Sequence, residues 1–393
     1  MKRYVCGNIL LAVVTYGLFV SVVGLEHEET ALLQRGAVVS RPANAAGGPR
    51  LVALRRESVP IYRQGKVASY KTSYSGVVRV GTPAQEFRMV FDTGSGNVVL
   101  PAAECESEAC LMPSRRRFDS SASRTALAIN ADGSAVPPDE ACDQATIGYG
   151  TGRVVGEFVR DRVCFGDVLP DKGENVSRPD GTAGSAELCV EMSVVLAVEM
   201  SSQPFKTFRF DGILGLGLGG LVLNQNFSAF HMLLGGGGLH AEHFGVFLTE
   251  GEDGEESQIA LGGADPRRML EPLHWTPVAM PEYGYWQVQI LAVRVGGRTL
   301  DICRDGTCRG VVDTGTSHLG VPASADAEVA KLLTQEAGDL MDCRLAQAPT
   351  MEIELPGYTL TLRPSNYMRP LPLRQGVVVE RVPRAAQGGA PEG

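Results

Sequence analysis

The sequence has little of what several common hydrolytic chemistries require. Six histidines occur in 393 residues (His27, His231, His240, His243, His274 and His318), and none sits in a His-Glu-x-x-His pattern. That argues against a helix-borne zinc hydrolase site. His240 and His243, beside a glycine run, read as a surface pair. No Gly-x-Ser-x-Gly elbow is present, so the serine-nucleophile hydrolases built on that turn are also disfavoured. Basic excess is lacking: the net charge is −9 and the isoelectric point about 5.3, which argues against nucleic acid as a partner. Past residue 24 no apolar run is long enough to span a bilayer; Ile213 to Leu223 is short and rich in glycine.

Glycine, proline and short valine-rich runs are abundant. With 47 Gly and 23 Pro, the chain reads as β-rich with many turns. The N-terminus carries a basic head, Met1-Lys2-Arg3, then an apolar stretch from Ile9 to Val23, with Val22 and Gly24 as small residues for cleavage. Residues 1–24 therefore read as a secretory signal peptide, the alternative being an uncleaved membrane anchor. The location this implies is the secretory pathway, with the protein secreted or held in a vesicular, lysosome-like compartment. Setting Cys6 aside with that segment, eight cysteines remain, an even number that suits disulfides. Asn175-Val176-Ser177 and Asn226-Phe227-Ser228 are glycosylation sequons, so Asn175 and Asn226 are candidate acceptors.

The chemistry is concentrated in a short pattern that occurs twice. Met89-Val90-Phe91 leads into Asp92-Thr93-Gly94-Ser95-Gly96-Asn97, and Val311-Val312 leads into Asp313-Thr314-Gly315-Thr316-Ser317. An apolar strand ending in an acid and turning through glycine places a carboxylate at a loop tip. The neighbouring hydroxyls can hold it by hydrogen bonds. Two such acids in matching contexts point to two similar halves facing each other across a pseudo-twofold axis.

The order of the remaining motifs gives this pattern a family. Val80-Gly81-Thr82-Pro83 precedes the first acid. Ile147-Gly148-Tyr149-Gly150-Thr151-Gly152 and Phe210-Asp211-Gly212-Ile213-Leu214-Gly215-Leu216-Gly217 follow it, and Leu261-Gly262-Gly263 comes near the end of the first half. From about Tyr74 to Met368 the chain resembles the pepsin-like aspartic proteases. The resemblance implies an all-β, bilobal fold and an aspartic endopeptidase without metal or organic cofactor. Its partners would be a peptide or protein substrate and its own prosegment, and oligomerisation is not expected. It implies a catalytic dyad of Asp92 and Asp313, oriented by Ser95 and Thr316 within turns formed by Thr93, Gly94, Thr314 and Gly315. Tyr149, Gly150 and Thr151 would form a flap that closes over substrate. Two departures bear on this: Val98, Val99 and Leu100 occupy the region where the family often has a tryptophan that partners the flap tyrosine, and Gly96 replaces a hydroxyl residue.

The same resemblance organises the rest of the chain. Residues 25–69 are expected to be a prosegment. From Ala31 to Tyr70 there are seven basic residues against one acid, Glu57, a balance suited to covering an acidic cleft; a solvated basic linker is the plainer alternative. Residues 70–270 would be the N-terminal lobe and 271–368 the C-terminal lobe. Cys105 and Cys110 lie at the family's position for a small disulfide loop, Cys303 and Cys308 near another, and Cys164 and Cys189 flank an inserted loop, Pro170 to Ala186. Arg115-Arg116-Arg117 reads as a solvated charge cluster. Ser324 to Ala337 reads as a helix capped by Ser324, and Met351 to Leu355 with Tyr358 to Leu362 as a hairpin. After Met368 the resemblance stops, where the family continues with further strands. The second lobe is therefore expected to be incomplete, and residues 369–393 to be a disordered low-complexity tail. Cys343 occupies the position of the first half of a disulfide whose partner lies beyond Met368, so it is expected to be free or mispaired with Cys142. The alternative to a peptidase is a catalytically inactive relative that binds peptides or is inert.

Overall fold

The computed structural model describes residues 5–6, 48–63, 66–150, 152–166, 188–250, 254–336 and 342–368. Most of the expected signal peptide, Thr151, the insertion with Asn175, and the tail 369–393 lie outside these residues. The described chain is mostly strands with few helices, an all-β pepsin-like fold.

One eleven-stranded sheet builds the first half. Its centre is the strand Gln85–Asp92, which carries the first acid. This strand pairs antiparallel with Ser75–Val80 on one side and parallel with Gly212–Gly215 on the other. Gly212–Gly215 in turn pairs with Val98–Val99. Period-two alternation explains why these segments are continuously apolar. Phe87, Met89 and Phe91 face one core cluster together with Val98, Leu100 and Leu214. Val90, Val99 and Ile213 face a second cluster on the opposite side of the sheet. The strand ending at Asp92 is thus enclosed by apolar side chains on both faces and by strands on both edges.

A buried carboxylate ties this core together. Asp211 is 1% exposed; it accepts from the Arg88 amide at 2.8 Å and from the Arg116 amide at 2.7 Å. Where Gly215 passes Gly96 the backbones nearly touch: a Cβ on Gly215 would lie 2.6 Å from the Asn97 nitrogen, so no side chain fits there. The segment Arg50–Arg63 is a full strand of the sheet. It pairs with Lys66–Val80 and with Ser257–Leu261, and buries Val52 and Leu54.

The second half is smaller. A four-stranded sheet runs in the order Arg298–Thr299, Ala292–Val295, Met351–Leu355, Tyr358–Leu362, the last two forming a hairpin. Among the described residues, the strand before the second acid, Arg309–Val311, pairs with Gln287–Gln289 alone. A two-residue strand, Val5–Cys6, pairs with Gln335–Glu336. Trp286 joins the core cluster of the first half, and its indole N–H donates to the Leu216 carbonyl at 2.7 Å.

Three expectations need correction. The helix spans Asp326–Leu333, and Ala325 rather than Ser324 is its N-terminal flank, because Ser324 lies inside the preceding turn closed by the Ala325 amide on Pro322. Arg115 is buried, 7% exposed, and its guanidinium is occupied by three backbone carbonyls. Cys343 is disulfide-bonded, and Cys142 is the free thiol among the described residues. Disulfides also join Cys105 to Cys110, Cys164 to Cys189 and Cys303 to Cys308.

The two halves therefore differ in how firmly each acid is supported. Leu214→Ala, at a site with no exposure, is expected to destabilise the protein by about 2–5 kcal/mol. Val311→Ala, where 48% of the residue is exposed, should change stability by no more than about 0.5 kcal/mol. Urea unfolding of the two variants beside the parent chain measures both.

Candidate active site

Each acid sits in a turn that its own sequence builds. The Gly94 amide donates to Asp92 Oδ1 at 2.9 Å and the Ser95 hydroxyl to Oδ2 at 2.6 Å. The second turn repeats this: the Gly315 amide donates to Asp313 Oδ1 at 2.8 Å and the Thr316 hydroxyl to Oδ2 at 2.5 Å. Both carboxylates are held with one oxygen on a backbone N–H and the other on a hydroxyl.

The threonines between acid and glycine do different work. The Thr93 hydroxyl reaches across to donate to the Val312 carbonyl at 2.7 Å and accepts from the Thr314 amide at 3.0 Å. The Thr314 hydroxyl returns the arrangement, donating to the Phe91 carbonyl at 2.6 Å and accepting from the Thr93 amide at 3.1 Å. This reciprocal set brings the two loops together. A Cβ on Gly94 would lie 2.7 Å from Asp313 Cγ, and one on Gly315 would overlap Asp92 Oδ1. Glycine at both positions leaves room for the opposite carboxylate.

Electrostatics follow from this closeness. Burial, and then the neighbouring Asp313 charge, push the Asp92 carboxyl up to about 7, while the Ser95 and Gly94 hydrogen bonds oppose the rise. Two carboxyl groups in contact, with one holding its proton to near neutrality, can share a proton and activate a water.

The chain matches the family described as eukaryotic aspartyl protease over residues 73–375. It belongs to that family. It is 31% identical over 302 residues to gastricsin of Cavia porcellus, which covers 75% of this chain and 67% of that protein. Chymosin of Callithrix jacchus is 31% identical over 299 residues, 75% of this chain and 68% of its own length. Cathepsin E of Aquarana catesbeiana is 28% identical over 303 residues, 75% and 66% of the two chains.

Within this family member, the strands Ala145–Tyr149 and Gly152–Phe165 pair as a hairpin with Tyr149 opposite Gly152. Gly150, in the turn, has φ +57° and room for a Cβ, whereas a Cβ on Gly152 would overlap the Gln203 carbonyl. The Tyr149 hydroxyl is buried beside Ser95, and its ring packs edge-on against Phe205 at 5.8 Å. Burial and the Asp92 charge hold its phenol well above the usual range. On the other side, a cavity of about 440 Å³ opens beside Asp313, lined by Val288, Ile290, Ile353, Leu355 and Leu360 and walled by Thr314 and Thr316. Of the glycosylation candidates, Asn226 is exposed.

Sequence reasoning passed over the groups that support the site. Ser317 donates to the Thr72 carbonyl at 2.6 Å, the Val312 amide to the Trp286 carbonyl at 2.8 Å, and the Leu218 amide to the Gly284 carbonyl at 2.8 Å. Nothing in the local sequence around these residues marks their partners. The reciprocal threonines carry the clearest energetic consequence. Thr93→Val removes a hydroxyl that makes two cross-loop bonds and leaves the Val312 carbonyl unmatched. The expected loss is about 2–4 kcal/mol, read as a lower urea midpoint at constant slope.

Proposed function

We propose that this protein is the precursor of an aspartic endopeptidase in which Asp92 and Asp313 act jointly on the peptide bond. The observation that carries the reading is the pair of matched turns, which hold two carboxyl groups against each other with the Asp92 carboxyl raised to about 7. One carboxylate takes a proton from water, whose oxygen attacks the carbonyl carbon. The protonated partner donates to the carbonyl oxygen, and a proton then passes to the departing amine. This is the shared-proton chemistry of aspartic proteases as a class. Ser95 and Thr316 would keep both carboxylates aligned, and Tyr149 would fold over the substrate and exclude water.

Residues before about Ser69 are proposed to be the prosegment, which would remain associated through the sheet strand Arg50–Arg63. The basic head and apolar stretch at the N-terminus, together with the disulfides, support passage through the secretory pathway. Among the described residues no helix is long and apolar enough to cross a membrane. A second reading, an inactive relative that binds peptides or is inert, is favoured by one observation: among the described residues the Asp313 strand has one partner strand, with an open apolar cavity beside it.

Cleavage assays separate the two. Asp92→Asn and Asp313→Asn should each reduce peptide cleavage by at least a thousandfold, because either change destroys the shared-proton pair. Wild-type activity in either variant would refute the assignment. The pH profile follows from the sign of the shift: a dyad holding its proton to about 7 is competent below that pH. Activity should therefore fall as pH rises through 7. The same raised carboxyl makes the folded state bind more protons than the unfolded one, so its contribution to stability is largest below about pH 4 and declines up to 7. Tight binding of a transition-state peptide analogue at acid pH supports the enzyme, and no binding supports the inert reading.

A further inference from the structure

Beyond Tyr149, which meets Ser95 and the Asp92 charge, the flap hairpin has a second support. Beside its turn, at Gly152 and Arg153, it sits on the segment 200–208, and several independent contacts converge there. The Arg153 amide donates to the Ser201 hydroxyl at 3.0 Å, and the Ser201 amide donates back to the Arg153 carbonyl at 3.0 Å. A Cβ on Gly152 would overlap the Gln203 carbonyl and the Pro204 ring, so the hairpin lies flush against that turn. Phe205 supports the Tyr149 ring from the same segment.

That segment is itself gripped from the far side by the disulfide loop Cys105–Cys110 and the residues after it. The Met200 amide donates to the Ser107 hydroxyl at 3.1 Å, and the Ser202 hydroxyl to Glu108 at 3.0 Å. Lys206 pairs with Glu108. Arg115 closes the grip. Its guanidinium donates to the Ala109 carbonyl at 2.9 Å on the loop side, and to the Phe205 and Phe208 carbonyls at 2.9 and 3.0 Å on the flap side. It is buried at the junction, and removing it would leave the Ala109 and Phe208 carbonyls unmatched, while the Phe205 carbonyl keeps the Phe208 amide. A planar fork of five donors is suited to holding two chain segments in one geometry.

We propose that Arg115 is a positioning residue for the flap: it locks the Cys105–Cys110 loop to the segment 200–208, and through Phe205 and Ser201 sets where Tyr149 stands over Asp92. Arg115 touches neither acid. Its effect passes through the seat of the hairpin, so its loss frees the flap while leaving the paired carboxylates in place. Only the kinetic arm of the test depends on the peptidase reading.

The test compares Arg115→Met, Arg115→Lys and the milder Ser107→Ala with the parent chain by amide hydrogen exchange. In Arg115→Met, amides of residues 145–154 and 200–208 should exchange at least tenfold faster. Those of Gln85–Asp92 and Val98–Pro101 should stay within twofold. Arg115→Lys, which retains a buried cationic donor, should recover at least half of the lost protection. Equal acceleration across the whole first-half sheet in Arg115→Met, or flap exchange within twofold of the parent, overturns the proposal. If Arg115→Met does not fold, Ser107→Ala decides: faster exchange confined to 145–154 and 200–208 supports the clamp, and no local change overturns it. In cleavage assays Arg115→Met should lose about tenfold in kcat/KM, mainly through KM, with kcat within threefold and partial rescue by lysine. An inactive parent chain would count against the peptidase reading and leave the exchange result to decide the clamp.

Discussion

The structure depends on the crossed hydrogen bonds of Thr93 and Thr314. Each hydroxyl donates to a carbonyl that precedes the other acid and accepts the other threonine's amide. These are short-side-chain contacts with no freedom to lengthen, so they fix the separation of the two turns to within a fraction of an ångström. Everything chemical follows from that. Once the turns are latched, the carboxylates are forced into mutual contact, and glycine becomes the only residue that fits at 94 and 315. Desolvation and like charge then raise one acid far above the ordinary carboxylate range. A latch made of neutral hydroxyls and backbone groups keeps its strength across the acidic range, where a salt bridge between the halves would weaken.

The two halves meet this constraint from unequal positions. Asp92 ends a strand with neighbours on both edges and apolar clusters on both faces. Asp313 follows a strand with one neighbour, beside an apolar cavity. The latch thus joins a rigid support to a more open one, and Trp286, which lies past residue 270 in sequence yet packs in the first core, adds a second tie. The unequal support makes the second turn dependent on its contacts with the first, including Ser317 on Thr72. The flap is similarly dependent, since beside its turn Gly152 and Arg153 lie on the segment 201–204.

Much of this was legible in the sequence, for a physical reason. The acid, hydroxyl and glycine of each turn interact within three residues, so their chemistry is written locally and repeats visibly at 92 and 313. Strands were legible from apolar runs, as at Met89–Phe91, because enclosure on both faces demands them. What was not legible depends on partners distant in sequence. Arg115 stands among three arginines that look solvated, and its burial is decided by carbonyls some ninety residues later, at Phe205 and Phe208. Cys142 and Cys343 could not be assigned from spacing, because pairing is set by which thiols the fold brings together. Ser324 looked like a helix cap, but Pro322 starts a turn that moves the helix start to Asp326.

The central claim is that the latched turns make one coupled pair of the two acids. The most direct measurement is a carboxyl-carbon NMR titration of Asp92 in the parent chain and in Asp313→Asn. The account predicts that Asp92 titrates near 7 in the parent, and that its midpoint moves down toward the ordinary carboxylate range when the Asp313 charge is removed. A midpoint near about 4 in the parent chain, or one that does not respond to Asp313→Asn, would contradict it.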